Sequence, residues 1–372
     1  MIQKTSPGEP DDGQVADPLG QPDTILTTSR VLVLPGSHDD FPISSTTSAE
    51  VPVDWQTAMR KAIRSGKELL ERLQLPASSF PGNLESFPTF VPLEFLQRMT
   101  PGDLADPLLR QVLPVSEELA SVPDFVADPV GDLDALAAGG LIHKYEGRAL
   151  LIVSGACGVH CRYCFRREFP YSEAGSRREN WDPAIQYIQS HRDIEEVILS
   201  GGDPLTLTDA PLFDLIDRLD AIDHVRRIRF HTRMPIVIPQ RVTPAICKRL
   251  QKTRATVWFV VHANHANELD SAVMDRLEML VDAGIPVLNQ AVLLRGVNDD
   301  EQTLVDLFMK LVNHRVQPYY LHQLDRVRGT QHFEVPVERG LELIANIRTR
   351  LPGYAVPTYV TEQAGQPAKT PL

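Results

Sequence analysis

Three cysteines fall within eight residues of this chain, in the run CGVHCRYC: Cys157, Cys161 and Cys164, spaced C-x3-C-x2-C. Three thiolates on one short loop can hold one soft metal centre. A structural zinc site closes with four ligands and accepts three cysteines and a histidine, for which His160 is at hand. An iron–sulfur cluster ordinarily takes four cysteines. Three would leave one iron of a [4Fe–4S] cluster open to an outside ligand. The remaining cysteine, Cys247, sits in a predicted helix far along the chain and is expected to face the core. Four cysteines in 372 residues do not make a disulfide framework.

Such a loop needs a scaffold, and the pattern from about residue 148 supplies one. Short β-branched or aromatic runs alternate with amphipathic stretches: 149–155, 196–202, 227–233, 256–264, 286–294 and 316–325. From the second run onward the starts are about thirty residues apart, the length of one βα unit. Asp182-Pro183 and Thr243-Pro244 read as N-caps followed by proline, and a last helix is expected near 336–351. Six units suit a partial (βα)6 barrel better than a closed eightfold one, and in such barrels function collects at the C-terminal strand ends. The cysteine loop follows the first strand. Ser200, Gly201, Gly202, Asp203, His231, His262, Gln290 and Asp325 all fall at the ends of later ones.

The expected organisation is α/β: a disordered tail over 1–53, a helical N-terminal subdomain over 54–142, the barrel over 143–335 and a C-terminal helix and tail over 336–372. The tail is rich in Pro, Ser, Thr and Asp without periodicity. In the subdomain Trp55, Met59, Ile63, Leu69, Leu70 and Leu73 recur at near-helical spacing, with a break at Ser65-Gly66. Further helices are expected over Leu93 to Met99 and from Asp106-Pro107. A net charge of −12 argues against binding nucleic-acid backbone. No apolar run is long enough for a membrane-spanning helix, and the start lacks a secretion signal, so a cytoplasmic location is expected.

The cysteine spacing, with an aromatic residue before the last Cys, resembles the radical S-adenosylmethionine superfamily. There the open iron binds the amino and carboxylate groups of S-adenosylmethionine. HKYEGRALL (143–151), CRYCFRR (161–167), SGGDPL (200–205), HANHANE (262–268), NQAVLLRGVND (289–299) and PYYLHQLD (318–325) resemble the lysine 2,3-aminomutase family, from about residue 90 to the C-terminus. The wording of HKYEGRALL, CRYCFRREFPY and PAKTPL is most similar to the short bacterial branch that makes (R)-β-lysine for elongation factor P. Alternatives are a general free-lysine enzyme and a radical enzyme acting on another amino acid.

The resemblance implies roles. Lys369 would hold pyridoxal 5'-phosphate as a Schiff base. Arg148 and Lys144 would meet its phosphate, with Tyr145 beside the cofactor; Lys144 stands where free-lysine enzymes have Arg. Arg166 would clamp the substrate carboxylate, a pairing suited to a guanidinium fork, while Arg167 is expected to be structural. Asp325 and Glu362 would bind the remote ammonium of L-lysine. Ser200, Gly201, Gly202, Asp203, His262 and Gln290 would contact S-adenosylmethionine. An electron donor such as flavodoxin or ferredoxin is implied, with a functional link to elongation factor P and its lysyl ligase. The free-lysine type builds a zinc site from a Cys after GVND and later cysteines. Here that position is Asp300 and no later Cys follows, so a monomer or homodimer is expected rather than a zinc-dependent tetramer.

Overall fold

The computed structural model describes residues 54–79, 87–172 and 181–372, and the expected disordered tail over 1–53 lies outside them. Ten strands form one sheet: β1 (Leu136–Ala138), β2 (Leu141–Tyr145), β3 (Arg148–Ser154), β4 (Glu196–Gly201), β5 (Arg227–Thr232), β6 (Thr256–His262), β7 (Val287–Val292), β8 (Gln317–His322), β9 (Thr358–Thr361) and β10 (Thr370–Pro371). Each pairs with its neighbours in sequence, and β1 and β10 are the two edges, so the sheet stays open. β3 to β9 are parallel throughout. Each successive pair is bridged by a helix: Asp182–Ser190, Asp209–Asp220, Pro244–Leu250, Ser271–Asp282, Glu301–Asn313 and Val337–Arg348. This is the expected partial barrel of six βα units, extended by a seventh parallel strand.

The six expected strands all form, with ends within three residues of those read from the sequence. Their cores, such as Val197, Leu199, Ile228, Phe230, Phe259 and Val261, are buried against the helices. Opposite them, polar residues alternate: along β5 the half-buried positions are Arg227, Arg229 and His231. Thr243 caps the Pro244 helix through Ile246 N–H, as read. Asp182 instead lies inside the first turn of its helix, and Trp181 is the cap residue. Cys247 is buried, as expected.

β1, β2, β9 and β10 were not expected. HKYEGR is a hairpin rather than an exposed turn: Tyr145 pairs with Arg148 around Glu146-Gly147, and Gly147 takes φ +75°. β10 runs antiparallel to β9 with Thr370 opposite Thr361, which sets Lys369 against Glu362.

The region before the barrel is helical only in short pieces, Trp55–Lys61, Gly66–Arg72, Leu93–Leu96 and Pro107–Arg110. Fully buried Asp106 holds the last of these. Its carboxylate accepts from Leu108, Leu109 and Thr100 N–H, each at 2.9 Å. Replacing it leaves two buried donors and one part-buried donor without an acceptor. Asp106→Ala is expected to lower stability by about 2–4 kcal/mol in urea unfolding of the metal-free protein; a loss under about 0.5 kcal/mol, the level of an ordinary surface change, would contradict this.

Candidate active site

The inner face of the sheet and the loops at its C-terminal ends enclose a cavity of about 480 Å³. Cys157, Cys161 and Cys164 line one part of it, and Lys369, Glu362 and Asp325 another. Residues from strands β2 to β8, together with the β9–β10 connection, therefore share one chamber.

The side chains of the RYCFRR run fan out to separate anchors. Arg162 and Arg167 converge on the buried carboxylate of Glu118: Arg162 Nε at 2.8 Å and Nη2 at 2.5 Å, Arg167 Nη2 at 2.6 Å. Arg162 also donates to the Phe87 carbonyl at 2.8 Å. Tyr163 Oη meets His262 Nε2 at 2.9 Å and stacks on that ring. Arg166 turns into the cavity, donating from Nε to Asp132 at 2.7 Å and from Nη1 to Ser200 Oγ at 3.2 Å. Its Nη2 has no partner among the described residues. Arg167 is thus structural, as expected, and Arg166 faces the cavity.

Behind the cysteines lies a buried polar cluster. Arg233 donates to Cys161 Sγ and Tyr163 Oη, both at 2.7 Å, to Gln111 at 2.6 Å and to Glu268 at 2.8 Å. Asp203 ties the loops after β4 and β5 together, accepting from Thr232 Oγ1, Leu205 N–H, Arg233 N–H and Met234 N–H. Four donors occupy its carboxylate, so Asp203 positions the loop rather than offering oxygens to a ligand. Burial pushes its pKa up to about 6. The glycines act similarly. Gly202 N–H bonds Ser154 O and Asp203 N–H bonds Ala156 O, each at 2.7 Å. A Cβ on either Gly201 or Gly202 would strike the backbone of 154–156. The close approach they permit is to the cysteine loop itself.

The thiols suit a polynuclear centre. Burial, then neighbouring cysteines, raise Cys157 far above its ordinary range and Cys164 to about 11, so the cavity favours thiolates only beside compensating cations such as iron. Among the described residues no three His, Cys, Asp or Glu side chains converge as a single ion requires. His160 Nδ1 bonds the Pro88 carbonyl at 2.8 Å and its ring packs against Phe87 and Phe90; among the described residues it forms no metal-binding group with the cysteines.

The other part of the chamber is charged. Glu362 accepts from Lys144 Nζ at 3.1 Å, from Tyr145 Oη at 3.2 Å and from Lys369 Nζ. Burial opposes its charge, but the two lysines outweigh it and hold its pKa near 2. Lys144, which lines the cavity, also meets Asp132 at 2.5 Å and the Val130 carbonyl at 2.8 Å, so its three protons have protein acceptors. Arg148 keeps its cation over the Tyr145 ring at 4.5 Å, with no carboxylate partner among the described residues. Asp325 has no side-chain hydrogen bond among them; burial, then Glu362, push its pKa up to about 7. Gln290 lines the same chamber.

Glu118, Asp132, Gln111, Arg229 and His322 escaped the sequence reading as site residues, and His231 was marked only as a polar residue at a strand end. Arg229 and His231 carried a signal, since every second residue of RIRFHTR is polar. Glu118 and Asp132 lie in irregular segments with no periodicity to mark them.

The Radical SAM superfamily model matches residues 151–308. That defines a radical S-adenosylmethionine enzyme, whose chemistry uses a [4Fe–4S] cluster and S-adenosylmethionine. L-lysine 2,3-aminomutase of Escherichia coli K12 is 42% identical over 323 residues, covering 86% of this chain and 94% of that protein. The enzyme of the same name from Haemophilus influenzae is 41% identical over 320 residues, covering 85% and 95%. That from Clostridium subterminale is 36% identical over 323 residues, covering 86% and 77%. The chain belongs to the L-lysine 2,3-aminomutase family, isomerases of the radical S-adenosylmethionine type. Among the described residues no helix is long and apolar enough to cross a membrane.

Removing the Glu118 carboxylate strands two buried guanidiniums. Glu118→Ala is expected to cost about 3–5 kcal/mol and to lower the iron bound per chain after anaerobic reconstitution, with all three cysteines intact. Full iron loading with unchanged unfolding would show that the loop holds itself.

Proposed function

We propose that this chain is an L-lysine 2,3-aminomutase that uses a [4Fe–4S] cluster, S-adenosylmethionine and pyridoxal 5'-phosphate to move the amino group of L-lysine from Cα to Cβ. The observation that carries this reading is one enclosed chamber with three cysteines in one part and an amine, Lys369, beside an unpaired carboxylate, Asp325, in another. When bound, the cluster and S-adenosylmethionine supply a radical that removes a hydrogen atom, and pyridoxal phosphate supplies an aldehyde that carries the migrating nitrogen.

The residues fit those groups. Cys157, Cys161 and Cys164 would hold the cluster. Ser200, Gln290 and the Gly201-Gly202 backbone, with His262 neutral on Tyr163, border the space between cluster and lysine, where S-adenosylmethionine would lie. Lys369 would hold pyridoxal phosphate covalently, and the guanidinium of Arg148 is free for its phosphate. Arg166, pinned by Asp132 and Ser200, presents Nη2 to the substrate carboxylate. Its charge is secure, because Asp132 raises its pKa although burial opposes this. Asp325 and Glu362 would take the remote ammonium, and two anions there repel an acidic side chain.

The finer destination, (R)-β-lysine for elongation factor P through a separate lysyl ligase, is supported by the wording of HKYEGRALL and PAKTPL. Flavodoxin or ferredoxin would deliver the electron.

The decisive assay is anaerobic: reconstituted enzyme, pyridoxal phosphate, S-adenosylmethionine, dithionite and L-lysine, with product read by chiral chromatography and mass detection. β-Lysine is expected, and its loss in Cys161→Ala and in Lys369→Ala. 5'-Deoxyadenosine without β-lysine would retain the radical chemistry and overturn the substrate. Asp325 must be ionised to hold an ammonium, and it takes up a proton as pH falls through about 7. The kcat/KM for L-lysine is therefore expected to fall below about pH 7 with a slope approaching one, and Asp325→Asn to remove that limb. A wild-type profile flat from pH 8 to 6 would take Asp325 out of the ammonium subsite.

A further inference from the structure

His231, half-buried on the inner face near the C-terminal end of β5, carries a buried ring nitrogen with nothing to bind. Neither ring nitrogen has a hydrogen bond among the described residues, and Nε2 is out of reach of solvent. Such groups are rare in folded proteins and mark places where a ligand completes the bonding. Its surroundings say which ligand. The β4–β5 register ends on Leu199 opposite Phe230, so the next residues, Ser200 and His231, follow side by side, and both line the chamber. Ser200 Oγ accepts from Arg166 Nη1 at 3.2 Å. The charged or titratable groups that act on His231 are Arg229, Lys369, Arg166 and His322. His231 therefore shares the chamber with the guanidinium that would take a carboxylate and the amine that would hold the cofactor, and both act on it.

We propose that His231 contacts the substrate at its α-carbon end, donating a ring N–H to the α-carboxylate alongside Arg166. The inference rests on the function proposed above. A carboxylate has four lone-pair positions, and Arg166 has one terminal nitrogen left without a partner, so a second donor is needed to fix the plane of the group. Burial, then the nearby cations, keep the imidazole neutral. A neutral ring still has one N–H to give and adds no further positive charge to a pocket that already holds Arg166, Arg229 and Lys369. It can therefore bind without acting as a base at neutral pH.

The test reads binding without turnover. Enzyme loaded with pyridoxal phosphate, with no reductant added, is titrated with L-lysine and with pentane-1,5-diamine, the same molecule without the carboxylate, following the cofactor absorbance. In His231→Ala the Kd for L-lysine is expected to rise about tenfold to a hundredfold, the loss of a hydrogen bond to a charged group. The Kd for the diamine is expected to stay within twofold, and His231→Gln to recover part of the L-lysine affinity. Equal weakening of both ligands, or no weakening of either, overturns the carboxylate contact. No spectral response to L-lysine in the wild type would instead refute the proposed function itself. Circular dichroism and iron content, unchanged in both variants, separate these outcomes from misfolding.

Discussion

The buried carboxylate of Glu118 is the point on which the cysteine loop turns. Two guanidiniums from one six-residue run, Arg162 and Arg167, meet on it in a region closed to water. A lone charge there would be prohibitively costly, and so would the arginines without it. Because the pairing is bidentate on one side, it fixes direction as well as distance. Between those two arginines the chain has little freedom left, and Cys164 and Arg166 follow from it. The side chains of Cys164 and Arg166 are thus aimed by a residue some forty positions earlier that touches neither of them.

The same logic recurs deeper in the chamber. Asp132 holds both Arg166 and Lys144, and burial opposes its charge less than those two cations favour it. Asp203 holds the end of β5 and the loop after it by three hydrogen bonds, and that loop carries Arg233 to Cys161. The site is built from acids that neutralise and orient cations. Asp325, by contrast, has neither a side-chain hydrogen bond nor an ion pair among the described residues, so its carboxylate is open to a ligand.

How much of this was legible depends on distance along the chain. The parallel strands announced themselves by local composition and by a thirty-residue repeat, and the cysteine loop by spacing alone. β1, β2, β9 and β10 did not, because they are two to five residues long and half polar, and their pairing is decided by neighbours rather than by their own pattern. Lys369 and Glu362 were singled out through resemblance; that they face each other comes from the β9–β10 register, which no local signal carries. Glu118 and Asp132 were invisible because a buried acid looks like any other acid until its arginine is placed. The glycines of SGGD were read as space for a ligand, whereas their Cβ positions are filled by the backbone of the cysteine loop.

The strand order has a consequence for synthesis. Every strand pairs with the one made just before it, so the sheet can be laid down as the chain emerges, without any strand waiting for a distant partner. Glu118 and Asp132 precede the arginines that need them, and Glu268, the last anchor behind Cys161, arrives about a hundred residues before Lys369. Vectorial synthesis therefore supplies every anchor of the sulfur-bearing half of the chamber about a hundred residues before Lys369 is reached.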